Sequence, residues 1–304
     1  MAGLKELRTR IEAIKSTQKI TAAMKMVAAS RLRRVQILVD KNQGYADNLR
    51  KSAKRVLFDI NEEEKEKGIS YIRPTLVQTA KNPKNYVLVV MSSDRGLCGS
   101  YNTNAAKKAI SRINELRTNG KNVKVVCWGR KAYDILRHTY DDIEFVVFET
   151  PDKSVSYPKE AQKVAQTLLD AFLAKEFDIC EFVYADFITV VNRNFVCEQV
   201  CPINLDSDFS DDEKLNMSGD AFYEYMPDKL TILEKILPII FIDNIFRILV
   251  NSAASEHSAR MTSMDNATRN AKDMISELTL KYNSLRQSAI TTELIEIIAG
   301  AEAV

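Results

Sequence analysis

Five cysteines and two histidines are the side chains here that could hold a metal or attack a substrate, and their spacing argues against both. Cys98, Cys127 and Cys180 are isolated, while Cys197 and Cys201 lie four apart with no histidine beside them. That is not a zinc pattern, and it reads instead as buried reduced thiols. His138 and His257 lie in different parts of the chain, with no nucleophile motif beside either. Asp141-Asp142 and Asp211-Asp212 fall in polar stretches and read as solvated surface. The segment Ser92-Ser-Asp-Arg-Gly-Leu-Cys-Gly-Ser-Tyr-Asn stands between a strand and a helix, where a phosphate-cradling loop would sit. Its Gly96 and Gly99 are three apart with no third glycine, and no Gly-Lys-Ser/Thr occurs anywhere, so it reads as a tight turn. The expectation is a chain with no catalytic residues, no metal and no cofactor of its own.

The elements that flank this turn are unusual in length. From Ile239 to Ala299 there is neither Gly nor Pro, enough for a helix of about 90 Å at ~1.5 Å per residue. That exceeds a compact domain of 304 residues, so part of the helix must be covered from outside. From Leu294 onward the chain is apolar or small on most sides, and a helix apolar all round has to be enclosed. At the other end, Leu4, Leu7, Ile11 and Ile14, then Met24, Val27, Ala28, Leu32, Val35 and Leu38, carry an apolar stripe at helical spacing. Residues 257 to 289, with Met261, Met264, Ala267, Ala271, Met274, Leu278, Tyr282 and Leu285, approximate the complementary seam. The stretch from Leu230 to Val250 is too interrupted by charge and by Pro238 to span a membrane. Net charge is +2, which disfavours nucleic acid as a partner, although residues 1–60 carry a basic excess that could face acidic protein loops or lipid headgroups.

Between the long helices the period changes. Strands are expected near residues 86–93, 123–129 and 144–149 and as a pair over 180–202, with helices near 104–117, 130–139 and 157–176. The fold class is therefore α/β: long N- and C-terminal helices in an antiparallel coiled coil, with a central Rossmann-like open domain. The chain divides into an N-terminal helix (1–60), a linker (61–85), the α/β domain (86–205), a loop and foot (206–226) and a C-terminal helix (227–304), with 205–219 expected to be mobile.

Four motifs, in order along the chain, resemble those of the gamma subunit of F-type ATP synthase. They are Leu7-Arg-x-Arg-Ile-x-x-Ile-Lys-Ser-Thr-Gln-Lys-Ile-Thr-x-Ala-Met-Lys-Met-Val-Ala-Ala-Ser, Ser93-Asp-Arg-Gly-Leu-Cys-Gly-Ser-Tyr-Asn, Ser255-Glu-His-Ser-Ala-Arg-Met and Ile290-Thr-x-Glu-x-x-Glu-x-x-x-Gly-Ala-x-Ala. The resemblance implies a central-stalk rotor, turned by a membrane ring of c subunits, that drives the catalytic cycle of beta subunits in an alpha3-beta3 hexamer. It implies that Met24, Arg260, Gln287 and Thr291 meet a loop of the beta subunit. Leu294, Ile297, Ile298, Ala301 and Val304 would form a bearing tip, and Tyr223, Glu224 and Tyr225 a foot on the ring and the epsilon-type subunit. The paired-cysteine insertion of the chloroplast branch has no counterpart here.

The expected location is the cytoplasmic side of a bacterial inner membrane, because the opening motif begins at Leu4 with no Arg- and Ser-rich leader; the matrix side of a mitochondrial inner membrane is the alternative. A nucleotide-using α/β enzyme with helical oligomerisation arms is the competing function, to be separated by nucleotide binding at the turn after the first strand. A basic coiled coil binding nucleic acid is a third, and predicts salt-sensitive association.

Overall fold

The computed structural model describes residues 2–68, 70–78, 80, 82–148, 156–204 and 223–302. Two helices dominate it: α1, Ala2–Lys67, and α5, Lys229–Glu302, of 66 and 74 residues. At ~1.5 Å per residue they run to about 100 and 110 Å. They lie side by side and antiparallel. Polar pairs link them along the seam: Glu63 with Lys229 at 2.7 Å, Arg50 and Asn42 with the neighbouring Asn244 and Asp243, Asn42–Asp243 at 2.5 Å, Lys25 with Asp265 at 2.6 Å, and Thr21 with Thr268 at 2.8 Å. Between them, Ala28, Leu32, Val35, Ala53, Val56, Leu57 and Ile60 of α1 are buried at helical spacing.

Between the long helices lies a five-stranded sheet of β1 (Asn85–Met91), β2 (Asn122–Trp128), β3 (Phe145–Phe148), β4 (Ile179–Phe187) and β5 (Arg193–Cys201). Their order is β3-β2-β1-β4-β5, parallel except for β5, which runs antiparallel to β4. Helices α2 (Tyr101–Thr118), α3 (Arg130–Leu136) and α4 (Tyr157–Leu173) connect the parallel strands. Alternation along β1 sends its side chains to two cores. Val87, Val89 and Met91 join α4 and the lower shaft, while Leu88 and Val90 join α2 and α3. The first half of α5 is therefore itself part of the sheet's covering layer, with Leu233, Leu237, Ile240, Phe241, Ile245 and Ile248 buried. By length and composition this stretch could cross a membrane, but its apolar side chains are occupied by the domain core.

Three sequence expectations change. The first helix does not end near Ile60; it continues through Gly44 to Lys67. The Asn42 and Arg50 bonds to α5 bracket Gly44, and the charged segment beyond Ile60 is tied down, Glu63 to Lys229 and Lys67, and Glu64 to Arg73 and the Tyr71 amide. Lys229 and Lys67 hold the Glu63 carboxyl down at about 2. Pro238 does not interrupt its helix, because the buried Leu237 and Ile240 beside it fix the helix against the core. Lastly, Met274 and Leu285 are exposed, and Ala271, one turn before Met274, is buried in the seam. The loop expected over 205–219 and the Asp211-Asp212 pair lie outside the described residues.

The close approach of β1 to β2 at their ends sets one strict requirement. Gly129 has φ +94°, and a Cβ there would overlap the Ser92 carbonyl oxygen well inside contact distance. Backbone cannot yield as a side-chain end can, so Gly129→Ala should destabilise the chain by about 2–4 kcal/mol. Denaturant unfolding monitored by circular dichroism measures this, and a loss below about 1 kcal/mol would show that the turn relaxes.

Candidate partner-binding site

The side chains of the turn after β1 are engaged with one another. Asn102 accepts the Ser93 amide at 3.0 Å, Ser93 Oγ donates to the Arg95 carbonyl at 2.6 Å, and Asp94 accepts the Arg130 amide at 2.9 Å. Ser92 Oγ donates to the Gly129 carbonyl at 2.9 Å and accepts the Ala132 amide at 3.0 Å. A loop whose polar groups satisfy each other in this way is a structural turn, not an open nest of amides turned toward an anion. The thiols are equally occupied. Burial pushes Cys127, Cys197 and Cys201 up to about 12 and Cys180 well above the ordinary thiol range, which keeps them protonated and unreactive. Among the described residues no group of three His, Cys, Asp or Glu side chains could hold a metal. A polar cleft of ≈ 290 Å³ between α2 and the β4–β5 pair is closed at its base by Arg112, which forks onto the buried Glu181 at 2.7 and 2.5 Å.

The segment Ser252–Arg260 of α5 joins the shaft to the domain. Ser252, Ser255 and Ser258 are buried at three-residue spacing on one face of the helix. Ser252 Oγ meets Tyr101 Oη at 2.7 Å, Ser255 Oγ donates to the Ala185 carbonyl at 3.0 Å, Ser258 Oγ donates to the Val190 carbonyl, and Asn251 donates to Asp186 at 2.9 Å. This is the stretch singled out as a family-like motif, and its local role is to fasten the helix to the ends of β4 and α2. Arg260 belongs to the same joint. It pairs with Glu256 at 2.6 Å and donates to the carbonyls of Arg95 and Gly96, with only 11% of its side chain exposed.

The remaining residues expected to meet partners fall into two regions. On the shaft, Met24 is half-buried beside the seam, next to Lys25 and so at the level of its partner Asp265, while Gln287 and Thr291, well above, are exposed one turn apart, Thr291 Oγ1 donating to the Gln287 carbonyl at 2.9 Å. So Gln287 and Thr291 share a face that Arg260 does not; some forty ångströms of helix separate them from it at ~1.5 Å per residue. Beyond Thr291, Leu294, Ile295, Ile297 at 72%, Ile298 and Ala301 all face solvent, and Val304 lies outside the described residues. Exposed apolar side chains also ring the shaft below, Ile20, Met26 and Val27 on α1 and Met274 and Leu280 on α5. At the opposite end, the exposed Tyr223 ring lies under the Arg55 guanidinium at 4.8 Å, Tyr225 Oη donates to Asp59, and Glu224 is exposed. Sequence reasoning missed this anchoring of the foot by α1; the signal was Arg55 and Asp59 at helical i,i+4 spacing.

His257 sits in the joint with its Nδ1 buried and unpartnered, and burial, reinforced by the cations Arg260 and Arg31, holds its pKa down at about 4. A histidine depressed on folding adds stability that is full above its unfolded value of ~6.5 and is lost as pH falls toward the folded value. Glu256, raised chiefly by burial, works in the opposite direction at the acid end. The comparison that isolates His257 is therefore between the native chain and His257→Gln. From pH 7.5 to pH 5 the native chain should lose about 2 kcal/mol more than the variant in denaturant unfolding; equal losses would show that His257 is hydrated in the folded state.

A family model described as ATP synthase matches residues 3–304. An ATP synthase gamma chain of Granulibacter bethesdensis is 42% identical over the whole of both chains, and one of Pelagibacter ubique 38% identical over 99% of each. Among solved structures, chains of the Euglena gracilis mitochondrial ATP synthase match with TM-scores of 0.65 and 0.59 at 17% identity, covering 99% and 95% of this chain and 94% and 99% of theirs. A chain of the Tetrahymena thermophila central stalk and c-ring structure matches 82% of this chain and 99% of its own, with a TM-score of 0.55 at 21% identity.

Proposed function

The chain belongs to the ATP synthase gamma-chain family, and we propose that it works as the central-stalk rotor, turning inside a ring of partner subunits that carry out the catalysis. It is one subunit of a membrane-associated complex. The observation that carries the reading is the contrast along α5. Its lower half is apolar on most sides and enclosed by the sheet, α4 and α1; its tip from Ile290 onward is again apolar on most sides, but Ile290, Leu294, Ile295, Ile297 and Ile298 are exposed. A continuous helix of that kind needs a sleeve supplied by other chains. Covering Ile290, Leu294, Ile295, Ile297 and Ile298, each already half-exposed, would contribute about 1 kcal/mol per side chain.

In this reading the sleeve is the inner face of an alpha3-beta3 hexamer. Apolar contact has little directional preference, so the tip can turn without breaking fixed ion pairs. Gln287 and Thr291 are exposed and can exchange neutral hydrogen bonds with a beta-subunit loop as the shaft turns. Met24 lies beside the seam lower on the shaft. Arg260 could reach such a loop only by giving up bonds it makes within its own chain. At the foot, Tyr223, Glu224 and Tyr225 meet the c ring and the epsilon-type subunit, and the Arg55–Asp59 anchor keeps that contact in step with α1. Driving one catalytic site from about 1:99 to 99:1 between its open and closed forms requires a differential contact energy near 5.5 kcal/mol. An eccentric two-helix shaft can supply this, because at any angle it touches unequal faces of three equivalent partners. The membrane side is the cytoplasmic face in a bacterial cell.

Two measurements test the reading. Gln287→Ala should lower ATP turnover coupled to ion movement several-fold, a change of about 1 kcal/mol, and leave the unfolding midpoint of the subunit in place; unchanged coupled turnover would remove Gln287 from the contact. Met274→Pro should abolish assembly with alpha and beta partners in co-purification, because proline inside a helix costs about 3 kcal/mol and turns the tip off axis. Normal assembly of that variant would mean that a straight shaft is not required.

A further inference from the structure

Arg260 is the one residue of the four expected at the beta-subunit loop whose polar reach is directed inward. Its Nη1 donates to Glu256 Oε1 at 2.6 Å, one turn earlier on the same helix, which holds the guanidinium against the shaft. Its Nη2 then points at two successive carbonyls of the turn after β1, Arg95 at 3.2 Å and Gly96 at 3.4 Å. The same turn is gripped again four residues on, where Gly99 has φ +60° and a Cβ would press on Ser263 Oγ of α5 at 2.8 Å. A third hold comes from Tyr101, whose Oη meets Ser252 Oγ at 2.7 Å. Cys98 lies in the middle of the turn, 2% exposed, with Asn102 Nδ2 donating to its sulfur at 3.2 Å.

We propose that Arg260 is a positioning residue, which fastens the β1–α2 turn to the shaft and so makes the α/β domain turn with α5 as one body. This rests on the rotor reading for its purpose, but the clasp itself is a property of the free chain. The logic is geometric. Serine bonds at Ser252, Ser255 and Ser258 hold α5 to the ends of β4 and α2. The Arg260 bonds tie that same helix face to residues 95–96, and the guanidinium fork divides between Glu256 through Nη1 and the two carbonyls through Nη2, a geometry that a single ammonium does not reproduce. Without them residues 95–97 would lose their tie to the helix while Gly99 and Tyr101 keep theirs, and Cys98, which packs beside Ala259, would be uncovered more often.

The test uses Cys98 as a reporter in the full chain, purified without partners. Under native conditions Arg260→Gln should raise the rate at which a bulky maleimide labels Cys98 about tenfold, while Cys127 and Cys180, deep in the sheet, stay protected. Glu256→Gln, which keeps a neutral acceptor for Arg260, should raise it about threefold, and Arg260→Lys should fall between native and Arg260→Gln. Should Arg260→Gln not fold, the Glu256→Gln rate decides alone. Native-like protection of Cys98 in these variants, or an equal rise at Cys127 that signals global opening, overturns the proposal. In the assembled complex, Arg260→Gln should lower coupled turnover. Faster Cys98 labelling with full coupling would leave the clasp standing and remove its part in rotation, whereas a contact with partner subunits alone would leave Cys98 labelling in the free chain untouched.

Discussion

The antiparallel register between α1 and α5 is the constraint on which the rest depends. Five polar pairs, from Glu63–Lys229 at the foot to Thr21–Thr268 near the top, tie the two helices together over most of their length, and Lys25–Asp265 and Thr21–Thr268 set the alignment of the upper part. Apolar contacts alone would not do this, because a seam rich in Ala and Met accepts a slide of one heptad at little cost, whereas half-buried hydrogen bonds lose their partners. Continued upward, the same alignment brings the first residue of α1 beside about residue 288 of α5. What lies beyond is the apolar tip, an overhang of about 14 residues or ~20 Å. Both the length of the exposed segment and its place on the axis thus follow from the polar pairs below it.

A shaft is useful only if something turns it, and here the joint matters. The lower half of α5 is simultaneously one strand of a coiled coil and the covering helix of the sheet. Hydroxyls at Ser252, Ser255 and Ser258 fix its rotation about its own axis, since each reaches a particular atom of the domain. Apolar packing gives this region its stability; directional bonds give it its angle. The two roles are divided between faces of the same helix. At the foot, Tyr225–Asp59 and Lys229–Glu63 do for α1 what the serines do for the domain.

Much of this was legible in the amino-acid sequence, for reasons that differ by element. The strands declared themselves because β1 and β4 are buried on both faces and so read as continuous apolar runs. The overhanging tip was visible because an apolar run with no breaker, longer than the domain is wide, has no local solution. The end of α1 was misplaced because a run of like charges such as Glu62 to Glu64 reads as a linker, and only its partners Lys229 and Arg73, distant in sequence or beyond a bend, make it helix. Met274 was put in the seam by spacing alone; the true seam drifts around the helix as 3.6 residues per turn slips against a seven-residue repeat. Arg260 was the subtlest case. Its type and position identified it as important, but nothing in a linear sequence shows that its fork closes on Arg95 and Gly96, 164 or 165 residues away.

The alignment of the two rods can be read directly by trapping it. Thr21 and Thr268 have their hydroxyls 2.8 Å apart, a separation at which paired cysteines can form a disulfide. In the complex assembled with alpha and beta partners, Thr21→Cys with Thr268→Cys should cross-link within the chain almost completely on mild oxidation, with coupled turnover retained because the helices do not slide during a turn. Absence of the cross-link, or a better yield from Thr21→Cys with a cysteine at Ile275, would contradict the register and with it the position of the tip.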